Sequence, residues 1–236
     1  MGLQVSRKRF DQLGERELTA WIDLLPADAL SARLFMHPEF CETAHRVLGP
    51  VEVVVIEDHG RVVGIVPLHR APGLRGWMRG YTQVAQDVSD GFCFPVEEAY
   101  LDRVAPALVK AGVWSGFFTH FAIGKYIPHL QAGAPTKTYL VRRQSGNRDM
   151  WDELKDRSRK FWSDTERCAR RLNELPGGYE FHWQSPNLER DLEALIGLKL
   201  GQYSRTGMHG SALFRESIKE FLRALASKKR LSFPRR

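Results

Sequence analysis

Apolar residues follow two different rhythms along this chain. Between Glu15 and Leu25, the residues Leu18, Trp21, Ile22 and Leu25 recur at spacings of three and four, the period of an amphipathic helix, and Pro26 breaks the run. A second helix is expected from His37-Pro38, because proline suits a first helical turn, to Leu48, where Gly49-Pro50 stops it. The rhythm then changes. Val51-Glu52-Val53-Val54-Val55-Ile56 is β-branched, Asp58-His59-Gly60 is turn chemistry, and Val62-Val63-Gly64-Ile65-Val66-Pro67-Leu68 returns. So continuous an apolar hairpin predicts a sheet covered on both faces.

Residues 71–91 are rich in Gly, Arg and Gln and read as a loop. Phe92-Cys93-Phe94 is a short strand candidate, Glu97 to Ala111 a helix despite Pro106, and Val113 to Phe121 and Thr138 to Val141 are further strands. A polar stretch from Arg142 to Arg148 reads as a linker. Beyond it Leu154, Ser158, Phe161, Thr165, Cys168, Leu172 and Leu175 make one helical face. The pairs Glu153–Arg157, Asp156–Lys160 and Glu166–Arg170 place acid before base at the favourable spacing of four, and Pro176-Gly177-Gly178 ends the helix. Tyr179, Phe181 and Trp183 alternate with polar residues as on a half-buried strand. Ser185-Pro186 then caps a helix whose face uses Leu188, Leu192, Leu195 and Lys199 or Tyr203, and Phe214, Ile218, Phe221, Leu222 and Leu225 mark a last helix.

The class is α/β, of the mixed α+β kind, in two parts: 1–148 and 149–236. A strand opens at Arg230-Leu231-Ser232-Phe233 and the chain stops three residues later. The second part is therefore expected to be truncated, holding only the first helices and strand of its domain.

Charge sharpens this division. The net charge is +7. Residues 1–150 hold 17 basic and 16 acidic side chains, or +1, and residues 151–236 hold 18 and 12, or +6. Excess positive charge suits nucleic acid, an anionic surface or a phosphorylated ligand, without choosing among them. Three widely spaced cysteines, Cys41, Cys93 and Cys168, suggest reduced thiols rather than a disulfide framework. No apolar run reaches the length of a membrane span, and the N-terminus has no secretory pattern, so a cytoplasmic protein is expected.

The order of these elements, with a few short motifs, resembles the acetyltransferase-like proteins of the GNAT superfamily, and within it the CelD type, linked to cellulose and polysaccharide biosynthesis and related to FemAB-like transferases. The motifs are the hairpin ending in Pro67-Leu68, the Ser89-Asp90-Gly91 triplet, the arginine-rich helix through Arg157-Ser158-Arg159-Lys160 and Arg170-Arg171-Leu172, and Leu198-Lys199 running through Tyr203 to Thr206-Gly207. The resemblance implies tandem GNAT-like lobes, the first largely complete, and acyl-CoA (acetyl-CoA) as co-substrate. It implies N- or O-acyl transfer to a small-molecule or saccharide acceptor, such as an amino-sugar precursor. The chain departs from the family in lacking the strand–helix–strand block that holds acyl-CoA, and any glycine-rich turn after a strand that could cradle a pyrophosphate. The donor site is accordingly expected to be incomplete.

Particular residues admit plain readings beside functional ones. Asp87 and Asp90 could serve acid–base chemistry or bind sugar hydroxyls, while an aspartate before glycine is also an ordinary turn former. Tyr203 could protonate a leaving thiolate or simply complete an apolar face. Lys199, Arg205 and His209 lie near it on a helix end and its loop, and Arg159, on the basic helix, could meet an anionic ligand or belong to a solvated face. His37, Cys41 and His45 share a helical face, but three ligands in line along one helix cannot easily surround an ion, so no metal is expected. No nucleophile motif is present, which suits direct attack on a thioester. Two alternatives stay open: a non-catalytic remnant or interaction module, self-associating or pairing with a protein partner through an open strand edge, and a basic nucleic-acid binder. The latter is not favoured, because Trp162 is the sole exposed aromatic expected on the basic face.

Overall fold

The computed structural model describes residues 2–26, 30–70, 80–89, 92–118, 150–177, 179–180, 182 and 185–228. The first elements are β1 (Gln4–Arg9), α1 (Glu15–Leu24), α2 (Leu30–Phe35), α3 (Pro38–Val47), β2 (Val51–Asp58), β3 (Arg61–Arg70) and β4 (Tyr81–Thr82). Then follow α4 (Val104–Lys110), β5 (Gly116–Phe117), α5 (Met150–Arg157), α6 (Arg159–Asn173), α7 (Leu188–Thr206) and α8 (Glu216–Ser227). Two compact units result: one from residues 1–133 and 188–236, the other from residues 134–187. The boundary expected at 148/149 lies outside the described residues.

In the first unit a five-stranded sheet runs in the order β1-β2-β3-β4-β5. Each of the first four strands is antiparallel to its neighbour, and β5 joins parallel to β4. The fold is mixed α+β. The expected hairpin forms β2 and β3, turned at His59 (φ 47°) and Gly60 (φ 76°). Two left-handed residues in succession are what a two-residue turn needs to match strand twist, and glycine makes the second of them easy.

Strand alternation assigns the two faces. Lys8 pairs with Val53 and bonds Glu17 on α1 at 2.6 Å, so the helices before β2 cover the face of Val51, Val53 and Val55. On the other face Gly64 lies opposite Ile56, and a Cβ there would come within 3.0 Å of Val96. That glycine lets the segment before α4 settle directly onto the sheet. Both faces are thus covered over the centre of the hairpin, and Val53 to Ile56 and Val63 to Val66, Gly64 included, are buried.

The helical layer is pinned by one aromatic. Trp21 on α1 is fully buried and donates its indole N–H to the Met36 carbonyl at 2.8 Å. On α3, Phe40 meets Phe221 of α8 edge-on, with centroids 5.2 Å apart. Phe221 is fully buried, and Lys228 bonds Glu42 at 2.6 Å beside it. The last helix therefore closes the same core that the first residues open.

Several expectations are corrected. Gln4–Arg9, assigned no element from sequence, is a full strand, because its polar residues sit on a sheet edge where only half the positions need burial. The loop read over 71–91 contains β4. The helix read over 97–111 starts as a 3₁₀ turn at Glu98–Arg103 and becomes α4, with Pro106 in the first turn where its missing N–H costs nothing. The strand read over Val113 to Phe121 is regular only at Gly116–Phe117 among the described residues. The long helix expected after Trp151 is broken at Ser158, whose φ of −144° and ψ of 74° are not helical. Ser185 accepts the Asn187 amide at 3.0 Å, and α7 begins one residue later. Its buried contact is Ile196, and Leu188, Leu195 and Leu198 are exposed. Tyr179, Glu180 and His182 form no strand, and the candidates Thr138–Val141 and Arg230–Phe233 lie outside the described residues.

Candidate functional site

Four strands bring one polar side chain each to the same end of the sheet, on the α4 face. Arg7 of β1, Glu52 of β2, Arg70 of β3 and Tyr81 of β4 occupy equivalent positions in the alternation: Glu52 pairs with Leu68, and Arg70 pairs with Tyr81. Tyr81 is 5% exposed, yet its hydroxyl reaches three charged groups. It donates to Glu52 Oε2 at 2.8 Å and accepts from Arg7 Nη1 at 2.8 Å and Arg70 Nη2 at 3.3 Å. Arg7 Nε also pairs with Glu52 at 3.3 Å, and Arg70 Nε lies 3.8 Å from the same carboxylate. Both guanidinium carbons sit near the Tyr81 ring, 6.0 and 5.6 Å from its centroid. The Tyr81 bond and the Glu52 charge hold the Arg70 pKa above its ordinary value. Two cations share one carboxylate, so the group carries a net positive charge.

The sequence offered a signal for this group that the reading passed over. Glu52 is a carboxylate inside an otherwise β-branched strand, and such a residue needs a partner. Tyr81 and Arg70 fell in or beside a stretch read as loop.

Beneath the opposite face, His69 is held by two backbone groups. Its Nε2 faces the Gly49 carbonyl at 3.2 Å and its Nδ1 accepts the Ala85 amide at 3.3 Å, which fixes the neutral Nε2–H tautomer. Burial pushes its pKa down to about 4, with the Gly49 bond opposing and the nearby His45 reinforcing. This histidine is structural.

The residues singled out in the sequence are dispersed. Asp90 lies outside the described residues. Asp87 forms an ion pair with Arg215, the residue before α8, which ties the 84–89 turn to the connection between α7 and α8. Tyr203, on α7, is half-buried, with the Lys199 ammonium 5.9 Å from its ring centroid, and Lys199 bonds Gln202 at 3.1 Å. Arg205 is exposed in the last turn of α7, and His209 is exposed with its ring 6.4 Å from that of Phe214. Arg159 is exposed at the start of α6 in the other compact unit.

An open groove of about 520 Å³ separates α7 from α8. Its central cation is committed: Arg223 grips both oxygens of Glu193 at 2.6 and 3.1 Å and Glu216 at 2.7 Å. No cluster of three metal-ligating side chains occurs among the described residues. The helical trio separates for clear reasons. His37 Nδ1 accepts the Glu39 amide as a cap, Cys41 is buried beneath the Phe35 carbonyl, and His45 Nδ1 accepts the Val51 amide. No described helix is long and apolar enough to cross a membrane.

In comparison with known proteins, no family model matches the chain, and no curated protein and no solved structure matches it.

Proposed function

We propose that the sheet-bearing unit belongs to an acyl-CoA-dependent acyltransferase, moving an acyl group to an amine or hydroxyl of a saccharide or amino-sugar precursor. The observation that carries this reading is the strand order. An antiparallel meander, with helices between its first two strands, ends in a parallel β4–β5 pair connected through α4. That order supports the likeness to GNAT-type lobes drawn from the sequence motifs. The parallel ladder spans only Tyr81↔Gly116 and Thr82↔Phe117, and backbone groups at the end of such a ladder can pair with an extended amide-containing chain such as the pantetheine arm of acyl-CoA.

Direct attack on a thioester needs positioning and a donor for the oxyanion rather than a covalent nucleophile. The thiols fit that scheme: burial raises the pKa of Cys41 and pushes that of Cys93 up to about 12, so both stay protonated. Asp90 and Tyr203 are the acid–base candidates in this reading, and Asp87, Lys199, Arg205 and His209 the candidate contacts to substrate or cofactor. The test is release of free CoA thiol by the full chain from acetyl-CoA and glucosamine. Because the donor site is expected to be incomplete, slow thiol release that needs both, with stabilisation appearing only at millimolar acetyl-CoA, is the expected result, and stabilisation at micromolar acetyl-CoA would show the donor site to be whole. No release and no stabilisation at millimolar acetyl-CoA would overturn the proposal.

One observation favours a second reading, an interaction module. Both residues of β5 are exposed, and Trp114 beside it is 80% exposed, an apolar approach to a short strand. A polypeptide adding itself there would use main-chain pairing. Sedimentation across a concentration series tests this, and a monomer at every concentration counts against self-association.

A further inference from the structure

We infer that the Arg7–Arg70–Tyr81–Glu52 group is a binding site for a phosphate monoester, a role separate from acyl transfer and independent of whether that reading holds. Three observations carry it.

The first is convergence. Arginines from β1 and β3 reach the same phenolic oxygen, at 2.8 and 3.3 Å, so two guanidinium groups are fixed around one point by a rigid sheet. Tyr81 is buried and its hydrogen is committed to Glu52, which leaves it no freedom to release either arginine. An arginine pair held in place before the ligand arrives loses little entropy on binding.

The second is incomplete neutralisation. Glu52 is the sole carboxylate touching this pair among the described residues, and it cancels one charge of two. Arg7 spends Nε and Nη1 on Glu52 and Tyr81, and Arg70 directs Nε and Nη2 to the same partners. Nη2 of Arg7 and Nη1 of Arg70 have no protein acceptor among the described residues. A purely structural network would be expected to close its charge. Arg223, by contrast, is held by two carboxylates.

The third is access. The Arg7 and Arg70 side chains are 35% and 67% exposed, while the tyrosine beneath them is 5% exposed.

A phosphate monoester suits this better than a carboxylate does. It presents three acceptor oxygens in a tetrahedral array to donors arriving from two strands, whereas a planar carboxylate is satisfied by one guanidinium.

Calorimetric titration of the full chain tests the assignment, with inorganic phosphate as probe and succinate in parallel. Saturable phosphate binding at millimolar concentration or below is expected, with succinate weaker. Arg70→Gln, at an exposed position and checked for folding by circular dichroism, should weaken phosphate binding about tenfold, the loss of one charge-assisted contact. Glu52→Gln removes the competing anion and should tighten phosphate binding, a gain that a structural ion pair does not give. Arg223→Gln should leave binding unchanged. Absence of saturable phosphate binding, equal loss in Arg223→Gln, or weaker binding in Glu52→Gln would each overturn the assignment, as would preference for succinate. None of these outcomes depends on acetyl-CoA, so the two proposals fail separately.

Discussion

The Tyr81 hydroxyl donates to Glu52 at 2.8 Å from a strand that is not its neighbour: β4 and β2 are separated by β3, and the bond passes over it. A contact between next-nearest strands fixes the lateral spacing of three strands at once. It also accounts for a carboxylate within the apolar stretch Val51–Ile56. Removing only the hydroxyl, with Tyr81→Phe, leaves two arginines without their shared acceptor and Glu52 with the arginines as its remaining partners. We expect a loss of about 1–2 kcal/mol in urea unfolding. An unchanged midpoint would show that the arginines satisfy Glu52 without the phenol.

Stability should depend on pH through His69. Its folded pKa is about 4 and its ordinary value 6.5, so between these limits the unfolded chain binds the extra proton. The contribution is complete above pH 6.5 and is lost as pH falls toward 4, by on the order of 3 kcal/mol. His37, whose pKa burial also lowers, adds in the same direction. His69→Gln keeps an N–H for the Gly49 carbonyl and cannot titrate in this range. Thermal melts at several pH values should therefore be flatter for the variant than for the wild type.

Thiol reactivity should be sharply unequal. Cys168 is exposed, Cys41 is buried, and Cys93 is part-buried with a pKa pushed up to about 12. Iodoacetamide near neutral pH should label Cys168 first in the native protein, with Cys41 reacting only on unfolding. Peptide mapping after short labelling reads this directly, and early modification of Cys41 would contradict the packing around α3.

Phe221→Ala tests the docking of α8. The ring is fully buried against Phe40, so truncation should cost about 3–5 kcal/mol. Proteolysis within α8 should accelerate in the variant. A loss below 1 kcal/mol, on the order of a surface substitution, would mean that α8 does not close the core.

What could be read from sequence alone depended on how local the cause was. The β2–β3 hairpin was legible because its turn and its apolar run are neighbours in the chain, and α1 and α3 because their periodicity and stop signals are internal. β1 was not, since a polar edge strand acquires its meaning from the strand it pairs with, and Arg7 and Lys8 looked like mere charge. The break at Ser158 was hidden for the opposite reason: the apolar face runs straight through it. The Arg7–Glu52–Arg70–Tyr81 group joins positions as much as 74 residues apart, and no spacing rule could assemble it. The dispersal of Asp87, Lys199, Tyr203, Arg205 and His209 reflects the same limit, since only Asp87 finds its partner, Arg215, in the far segment.

The contact between Phe40 and Phe221 also sets an order of events during synthesis. At typical translation rates the ribosome needs roughly 10–35 s to travel from one of these codons to the other. Throughout that interval the nascent chain can pair β1 with β2 and β3, but the outer side of α3 has no cover. Newly made protein must therefore wait with an aromatic surface open to chaperones, and the final helix acts as the latch that ends this vulnerable period.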